Sequence, residues 1–283
     1  MTVGLTGRAV FAGVAGDPVA HSLSPRLMGH WICRLGLDAA YLPFAVPPSG
    51  FEAFVRGLAR TQASGLNVTL PHKEAALALA DRATPAAKAI GAANLLTFHP
   101  DGILADNSDA AGFLAALEPA EPDYAGSTAL VLGAGGAARA LVHTLVTSGV
   151  KNLLISNRTA DRARALAAEL APDAGIVPWE DRDAALAEAD IVVNATALGL
   201  KGENDLVMDW AKARPGAIVF DSVYTPLVTG FLAGARQAGL KTIDGLDMLI
   251  GQARPSFRAF FGHDAPAYPP VRPVLLEALG ARP

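Results

Sequence analysis

The chain has 283 residues, 51% of them hydrophobic and 18% charged, which excludes a disordered chain because burying that much apolar surface offsets conformational entropy. At roughly 150 residues per domain the length predicts about two domains and excludes a mini-protein, while 28 glycines and 20 prolines predict many short elements joined by tight turns. Basic residues number 23 and acidic residues 27, a net charge of −4 with no run of Lys and Arg, so neither nucleic acid nor an anionic membrane is an expected partner.

Strand and helix patterns alternate along the chain, the signature of an α/β protein with mainly parallel sheets. The apolar run Ala9 to Gly16, broken by Asp17-Pro18, is too short for a signal peptide or membrane span and reads as a first strand, Ala9–Ala15. Ser24 as N-cap and Pro25 at the first helical position open a helix whose apolar face is Leu27, Met28, Trp31, Ile32 and Leu35, closed by Gly36. Cys33, the single cysteine, reads as core filler within that helix; with no intrachain disulfide, a soluble cytoplasmic protein is expected.

A strand over Tyr41–Val46 precedes a Ser49-x-x-Glu52 capping box with Phe51, Phe54, Val55 and Leu58 at helical spacing. The next strand ends at Thr69, Pro71 starts the following helix, and Asp101-Gly102 between Leu95–Phe98 and Ile103–Leu104 reads as a hairpin turn. Pro119 and Pro122 loosen the stretch from Glu118 to Ser127, a linker or a loop. Beyond it, strands Thr128–Leu132, Asn152–Ser156, Ile176–Pro178, Ile191–Asn194 and Ile218–Asp221 alternate with a helix to Ser148 and another over Ala160–Leu170, the rhythm of a doubly wound nucleotide-binding domain. After Gly245 a helix over Leu246–Ala253 is interrupted by Pro255 and followed by another.

Gly133-Ala134-Gly135-Gly136-Ala137-Ala138 lies directly between the apolar strand Ala129–Leu132 and a helix carrying Leu141, Val142 and Leu145. Gly133 and Gly135 fill the first two positions of the dinucleotide fingerprint and Ala138 the third; the glycines let backbone approach a pyrophosphate, and the N–H groups and dipole of the helix start attract its charge. A glycine-rich turn that binds nothing is the alternative. An NAD site places Asp or Glu at the end of the next strand, whereas this chain reads Ser156-Asn157-Arg158-Thr159-Ala160-Asp161-Arg162. Arg158 can stack on adenine and pair with a 2′-phosphate, with Arg162 one turn on, which points to NADP; a plain Thr159 N-cap with exposed arginines is the other reading.

In the first half, polar residues gather at predicted strand ends: His21-Ser22-Leu23-Ser24, Asn67 to Lys73, Ala92-Ala93-Asn94 and Asp106-Asn107-Ser108-Asp109. Hydroxyls, amides, a lysine and a carboxylate suit a polyhydroxylated small molecule better than a metal, and the six histidines show no metal-ligand spacing. Each cluster has a structural reading as caps and turns. Lys73 stands apart, because in the first turn of a helix the positive dipole end disfavours its ammonium; it suits a general acid or base, against the alternative of a solvent-facing lysine.

In order, GDPVAHSLSP (Gly16–Pro25), GLNVTLPHKE (Gly65–Glu74), IGAANLL (Ile90–Leu96), DNSDAAGF (Asp106–Phe113), GAGGAARA (Gly133–Ala140), NRTADR (Asn157–Arg162), NATALGL (Asn194–Leu200) and DGLDMLIGQA (Asp244–Ala253) resemble the shikimate dehydrogenase family over nearly the whole chain. The resemblance implies an α/β substrate domain, residues 1–109 completed by 245–283, facing a Rossmann-type NADP(H)-binding domain, residues 110–244, across a cleft. It makes Lys73 the catalytic acid/base, paired with Asp109, and makes Ser22, Ser24, Thr69, Asn94, Asp109, Tyr224 and Gln252 binders of the substrate's hydroxyls and carboxylate. Gly133, Ala134, Gly135, Gly136 and Ala137 would hold the pyrophosphate, and Asn157, Arg158, Thr159 and Arg162 the adenosine phosphate. Ser222 and Gly245 would meet the nicotinamide end, with the Asn194–Gly199 turn lining the same crevice.

The implied reaction is reversible, NADPH-dependent reduction of 3-dehydroshikimate to shikimate in aromatic amino-acid precursor synthesis, by a monomer or homodimer. A quinate or aminoshikimate dehydrogenase of the same family, or an inactive NADP-binding regulator, are the alternatives. Leu95, Ala105, Ser108 and Ser222 depart from the commonest family pattern, and none of them removes Lys73 or Asp109.

Overall fold

The computed structural model describes residues 4–280. Its elements in chain order are β1 (Val10–Gly16), α1 (Ser24–Leu35), β2 (Ala39–Ala45), α2 (Phe51–Leu58), β3 (Ala63–Val68), α3 (Lys73–Leu79), β4 (Arg82–Ala83), α4 (Pro85–Ile90), β5 (Leu95–His99), β6 (Gly102–Asp106), α5 (Asp109–Leu117), β7 (Thr128–Leu132), α6 (Gly136–Thr147), β8 (Asn152–Ser156), α7 (Ala160–Leu170), β9 (Gly175–Val177), β10 (Ile191–Asn194), β11 (Ile218–Asp221), α8 (Gly230–Gln237), β12 (Lys241–Ile243), α9 (Gly245–Phe261) and α10 (Arg272–Ala278). The chain divides into two compact units, residues 1–108 with 249–283 and residues 109–248, the second boundary falling inside α9. No described helix is long and apolar enough to cross a membrane.

The first unit is built on a mixed sheet in the order β2-β1-β3-β5-β6-β4. β1 runs parallel to β2 and β3, and β5 is antiparallel to β3 and β6. As a result β1, β3 and β6 end, and β5 begins, at the same edge, where one register row runs Val14, Asn67, Leu95, Asp106. Ala15, Leu66, Val68 and Leu96 pack with Phe51 and Val55 of α2 in one buried cluster. On the same unit α1 buries Leu27, Met28, Trp31 and Ile32, and Trp31 meets Phe257 of α9 edge-on at 5.4 Å between ring centroids.

Several local expectations are corrected here. Ser24 is the first residue of α1 and not its cap; the cap position falls on Leu23, in helical conformation with no side-chain bond, although Pro25 and the left-handed Gly36 stand as expected. Cys33 is exposed, since it lies past Ile32 on the outer side of α1, and Leu35 in the last turn is exposed too. No capping box forms at Ser49: residues 48–50 make a 3-10 turn, Gly50 precedes α2 without a side-chain bond, and Glu52 pairs instead with Arg56 at 2.9 Å. Pro71 lies in the turn before α3, which starts at Lys73.

Pro255 does not end α9, which runs unbroken from Gly245 to Phe261. The proline forfeits one ladder bond. Buried Ser256, Phe257 and Phe260 follow it, and Ser256 Oγ donates to Gln252 O at 3.2 Å, so packing outweighs the loss.

The second unit carries an all-parallel sheet in the order β9-β8-β7-β10-β11-β12. Its sense reverses between β7 and β10, the doubly wound order in which ligands bind beyond the carboxyl ends at the reversal. Continuous apolar strands fit a sheet covered on both faces. On one face α6 buries Ala138, Leu141, Val142 and Leu145 and Phe113 of α5 meets Phe220 of β11 at 4.9 Å; on the other, Trp210 meets Phe231 of α8 at 5.0 Å in a cluster with Leu130, Val192 and Val219.

Replacing Phe257 by Ala empties the space against Trp31 and should cost about 3–5 kcal/mol of unfolding free energy, read from the urea midpoint. A change below about 1 kcal/mol would show that packing does not carry α9 past its proline.

Candidate active site

At the common edge of the first sheet a chain of buried and half-buried amides holds the loops together. Asn67, near the end of β3, accepts from the Tyr41 hydroxyl at 2.8 Å and donates to Asn94 O at 3.0 Å and to Ser256 Oγ of α9 at 2.9 Å. Asn94, only 4% exposed before β5, donates from Nδ2 to Gln252 Oε1 of α9 at 3.2 Å. Its Oδ1 accepts from the Ser108 N–H at 2.7 Å and the Ser108 hydroxyl at 3.2 Å. These bonds set which way the Asn94 amide faces, and Asn107 donates to Ala92 O at 2.9 Å beneath it.

Lys73 sits half-buried as the first residue of α3, and its carbonyl accepts from Ala93 N–H at 2.9 Å, which joins the lysine to the segment before Asn94. His72, next to it, is buried; its ring lies flat on Phe51 at 4.3 Å and its Nε2 donates to Val46 O at 2.7 Å. The start of α3 is thereby fixed on two sides. Thr69 is half-buried with its N–H on Ala15 O at 2.9 Å, and Ser22 Oγ accepts from Ser24 N–H at 3.3 Å. Ser22, Ser24, Thr69, Lys73, Asn94 and Gln252 thus belong to the first unit. Asp109, 1% exposed at the start of α5, and half-buried Tyr224 belong to the second.

In the second unit, Gly133 follows β7 with φ +116°, a conformation that L side chains rarely adopt, and a Cβ there would lie 3.0 Å from Ala195 O. Only glycine allows the backbones after β7 and β10 to approach this closely. Gly135 is the N-cap of the twelve-residue α6, and Gly136 and Ala137 fill its first turn, so the N–H groups and positive dipole end of this helix start are a place where an anion is favoured. After β8, Asn157 donates to Thr159 O at 2.9 Å; Thr159 occupies the N-cap of α7 without a side-chain cap bond, and Arg158 and Arg162 are exposed. Ser222 N–H donates to Asn194 O at 3.0 Å. A Cβ on Gly245 would press into the Ser222 carbonyl, with Ser222 C at 2.7 Å, so the residue closing on Ser222 has to be glycine.

Three structural residues escape a reading of motifs: Asn67, His72 and Asp221. The first two lie inside the Asn67–Lys73 segment, but nothing local distinguishes an amide that ties two strands to α9. Asp221, the last residue of β11, is fully buried. Burial pushes its carboxyl up to about 6, against the pull of donors from Thr229, Val223 and Asn194, with the charge of Asp205 adding to the rise. Its signal was a carboxylate ending an apolar strand.

Replacing Asn67 by Ala removes its bonds to the Tyr41 hydroxyl, Asn94 O and Ser256 Oγ and should lower stability by about 2–3 kcal/mol in urea unfolding, while Tyr41→Phe costs about 1 kcal/mol. Equal costs would show that Asn67 is not the junction.

The chain is also similar to known proteins. Residues 14–96 match the family model described as shikimate dehydrogenase substrate binding domain, residues 115–221 that of shikimate / quinate 5-dehydrogenase, and residues 245–276 that of the shikimate 5'-dehydrogenase C-terminal domain. Shikimate dehydrogenase (NADP(+)) of Maricaulis maris is 57% identical, with 98% of this chain and 99% of the relative covered. That of Acidiphilium cryptum is 50% identical over 97% and 96%. The crystal structure of shikimate 5-dehydrogenase from Thermus thermophilus in complex with NADP(H) and shikimate superposes with a TM-score of 0.81 at 38% identity, covering 91% of this chain and 95% of that one. The chain belongs to the shikimate dehydrogenase family.

Proposed function

We propose that this chain catalyses the reversible, NADPH-dependent reduction of 3-dehydroshikimate to shikimate, in the cytoplasm. The observation that carries the reading is the Asn94 junction: one buried amide held by Ser108 and Gln252, with Lys73 bonded through its backbone to the adjoining segment. Hydroxyl and amide groups gathered at one sheet edge suit a small polyol acid. Residues 1–109 with 245–283 form the substrate part in this reading and residues 110–244 the cofactor part.

When bound, NADPH supplies the hydride to the substrate's carbonyl carbon. Lys73 Nζ gives its proton to the oxygen that becomes alkoxide, and takes one back in the reverse direction. Asp109 is taken as its acidic partner in this reading, as the family resemblance implies. Ser22, Ser24, Thr69, Asn94, Tyr224 and Gln252 bind the hydroxyls and carboxylate; because Gln252 Oε1 already accepts from Asn94, its Nε2 donates to substrate. The glycine turn and the exposed Arg158 and Arg162 fit a dinucleotide with a 2′-phosphate: backbone N–H groups for the pyrophosphate, guanidinium forks for the extra charge.

Lys73→Ala should lower kcat by roughly 100- to 10,000-fold with the NADPH Kd unchanged within about twofold; a kcat near that of the native chain would remove Lys73 from the mechanism. Replacing Arg158 and Arg162 together by Ala should raise the KM for NADP+ by about tenfold or more, the loss expected for charged hydrogen bonds, and leave that for NAD+ nearly unchanged. Equal effects on the two cofactors would contradict the 2′-phosphate assignment.

A further inference from the structure

Asp221 gathers the loops that leave β10 and β11. Its Oδ1 accepts from Asn194 Nδ2 and from Val223 N–H, each at 2.9 Å, and its Oδ2 accepts from the Thr229 hydroxyl at 2.6 Å. Each partner holds something in turn. Asn194, the register neighbour of Asp221, accepts on Oδ1 from Thr196 N–H at 3.0 Å and Thr196 Oγ1 at 2.7 Å, and Thr196 Oγ1 accepts from Leu198 N–H at 3.0 Å, which shapes the turn after β10. The Val223 bond turns the chain at Ser222 in an Asx turn. Thr229 caps α8 by accepting from Leu232 N–H at 3.3 Å. Between the loops themselves Lys201 N–H donates to Thr225 O at 2.6 Å.

Stability alone does not call for a carboxylate at this position. Asp205 is the charged side chain whose field reaches it, and that field is repulsive. Asp244, from the residues joining β12 to α9, is a second buried carboxylate beside the contact of Gly245 with Ser222, its Oδ1 accepting from Leu246 N–H. A carboxyl raised to about 6 in the fold binds its proton more tightly there than in the unfolded chain. Its contribution to stability is therefore present at low pH and lost as pH rises through about 6. At neutral pH the ionised group works against the fold, the pattern of a residue kept for function.

We propose that Asp221 is a positioning residue of the cofactor site: by gathering the two loops it fixes Ser222 and the Thr196–Gly199 turn around the nicotinamide end of the dinucleotide. It thereby sets affinity for that end and not for the adenosine end. This rests on the cofactor reading above.

The experiment compares NADP+ with 2′-phospho-ADP-ribose, which keeps the adenosine end and the pyrophosphate and lacks nicotinamide, by calorimetric titration of the native chain, Asp221→Asn and Thr229→Val. Asp221→Asn should weaken NADP+ by about tenfold and leave 2′-phospho-ADP-ribose within about twofold, and Thr229→Val should weaken NADP+ by less and likewise spare 2′-phospho-ADP-ribose. In the native chain the ratio of the Kd for NADP+ to that for 2′-phospho-ADP-ribose should rise as pH falls from neutral through about 6 and Asp221 loses its charge; the 2′-phosphate and the pyrophosphate are common to both ligands, so their own titration cancels. In Asp221→Asn it should stay flat. If Asp221→Asn does not fold, Thr229→Val and the native pH series decide. Unchanged NADP+ affinity, an equal loss of both ligands, or a pH-independent native ratio would overturn the proposal. A native chain that binds neither ligand would overturn the cofactor reading and this one with it.

Discussion

A polar side chain buried at the end of a β-strand must find partners in the loops around it or cost about 1–3 kcal/mol for each group left unpaired. Both units are organised by that obligation. In the first, Asn67 and Asn94 tie β3 and β5 to α9; in the second, Asn194 and Asp221 tie the turn after β10 to the loop after β11. Apolar packing specifies the sheets, while these few amides and one carboxylate specify the loops, where the proposed site residues lie. Because several bonds meet at each junction, a loop cannot shift without breaking more than one of them at once.

Close backbone approach is the second constraint, and it acts at the same edges. Gly133 lets the turn after β7 lie against Ala195, and Gly245 lets the chain close on Ser222. Both glycines bring the backbone of neighbouring loops together at the residues assigned to the dinucleotide. The polar networks then hold what the glycines permit. A side chain added at either position would separate loops that Asn194 and Asp221 hold together.

The doubly wound unit was the more legible part of the sequence. β7, β8, β10 and β11 and helix α7 have the bounds that their apolar runs imply, because strands covered on both faces are written as continuous hydrophobic stretches. α8 and β12 went unread: the first contains two glycines, and the second has three residues whose identity as a strand depends on pairing with β11. Errors in the first unit share a cause. Ser24 and Ser49 are good capping residues, Cys33 a good core residue and Pro255 a good helix breaker, yet the Leu23 conformation, the turn at residues 48–50, the outward side of α1 and the burial of Phe257 each override local preference. The motif residues were visible because their order along the chain is specific. Asn67, His72 and Asp221 were not, because what they do depends on residues far away in sequence.

The central claim is that this arrangement of amides, hydroxyls and Lys73 serves hydride and proton transfer at a carbonyl. Its most direct test is the absorbance of NADPH after 3-dehydroshikimate is added to the native chain. The account predicts that NADPH and 3-dehydroshikimate disappear in equal amounts as shikimate forms, and that shikimate with NADP+ runs the reaction backward. Binding of NADPH with no turnover in either direction would contradict it and make the chain a dinucleotide-binding protein without this chemistry.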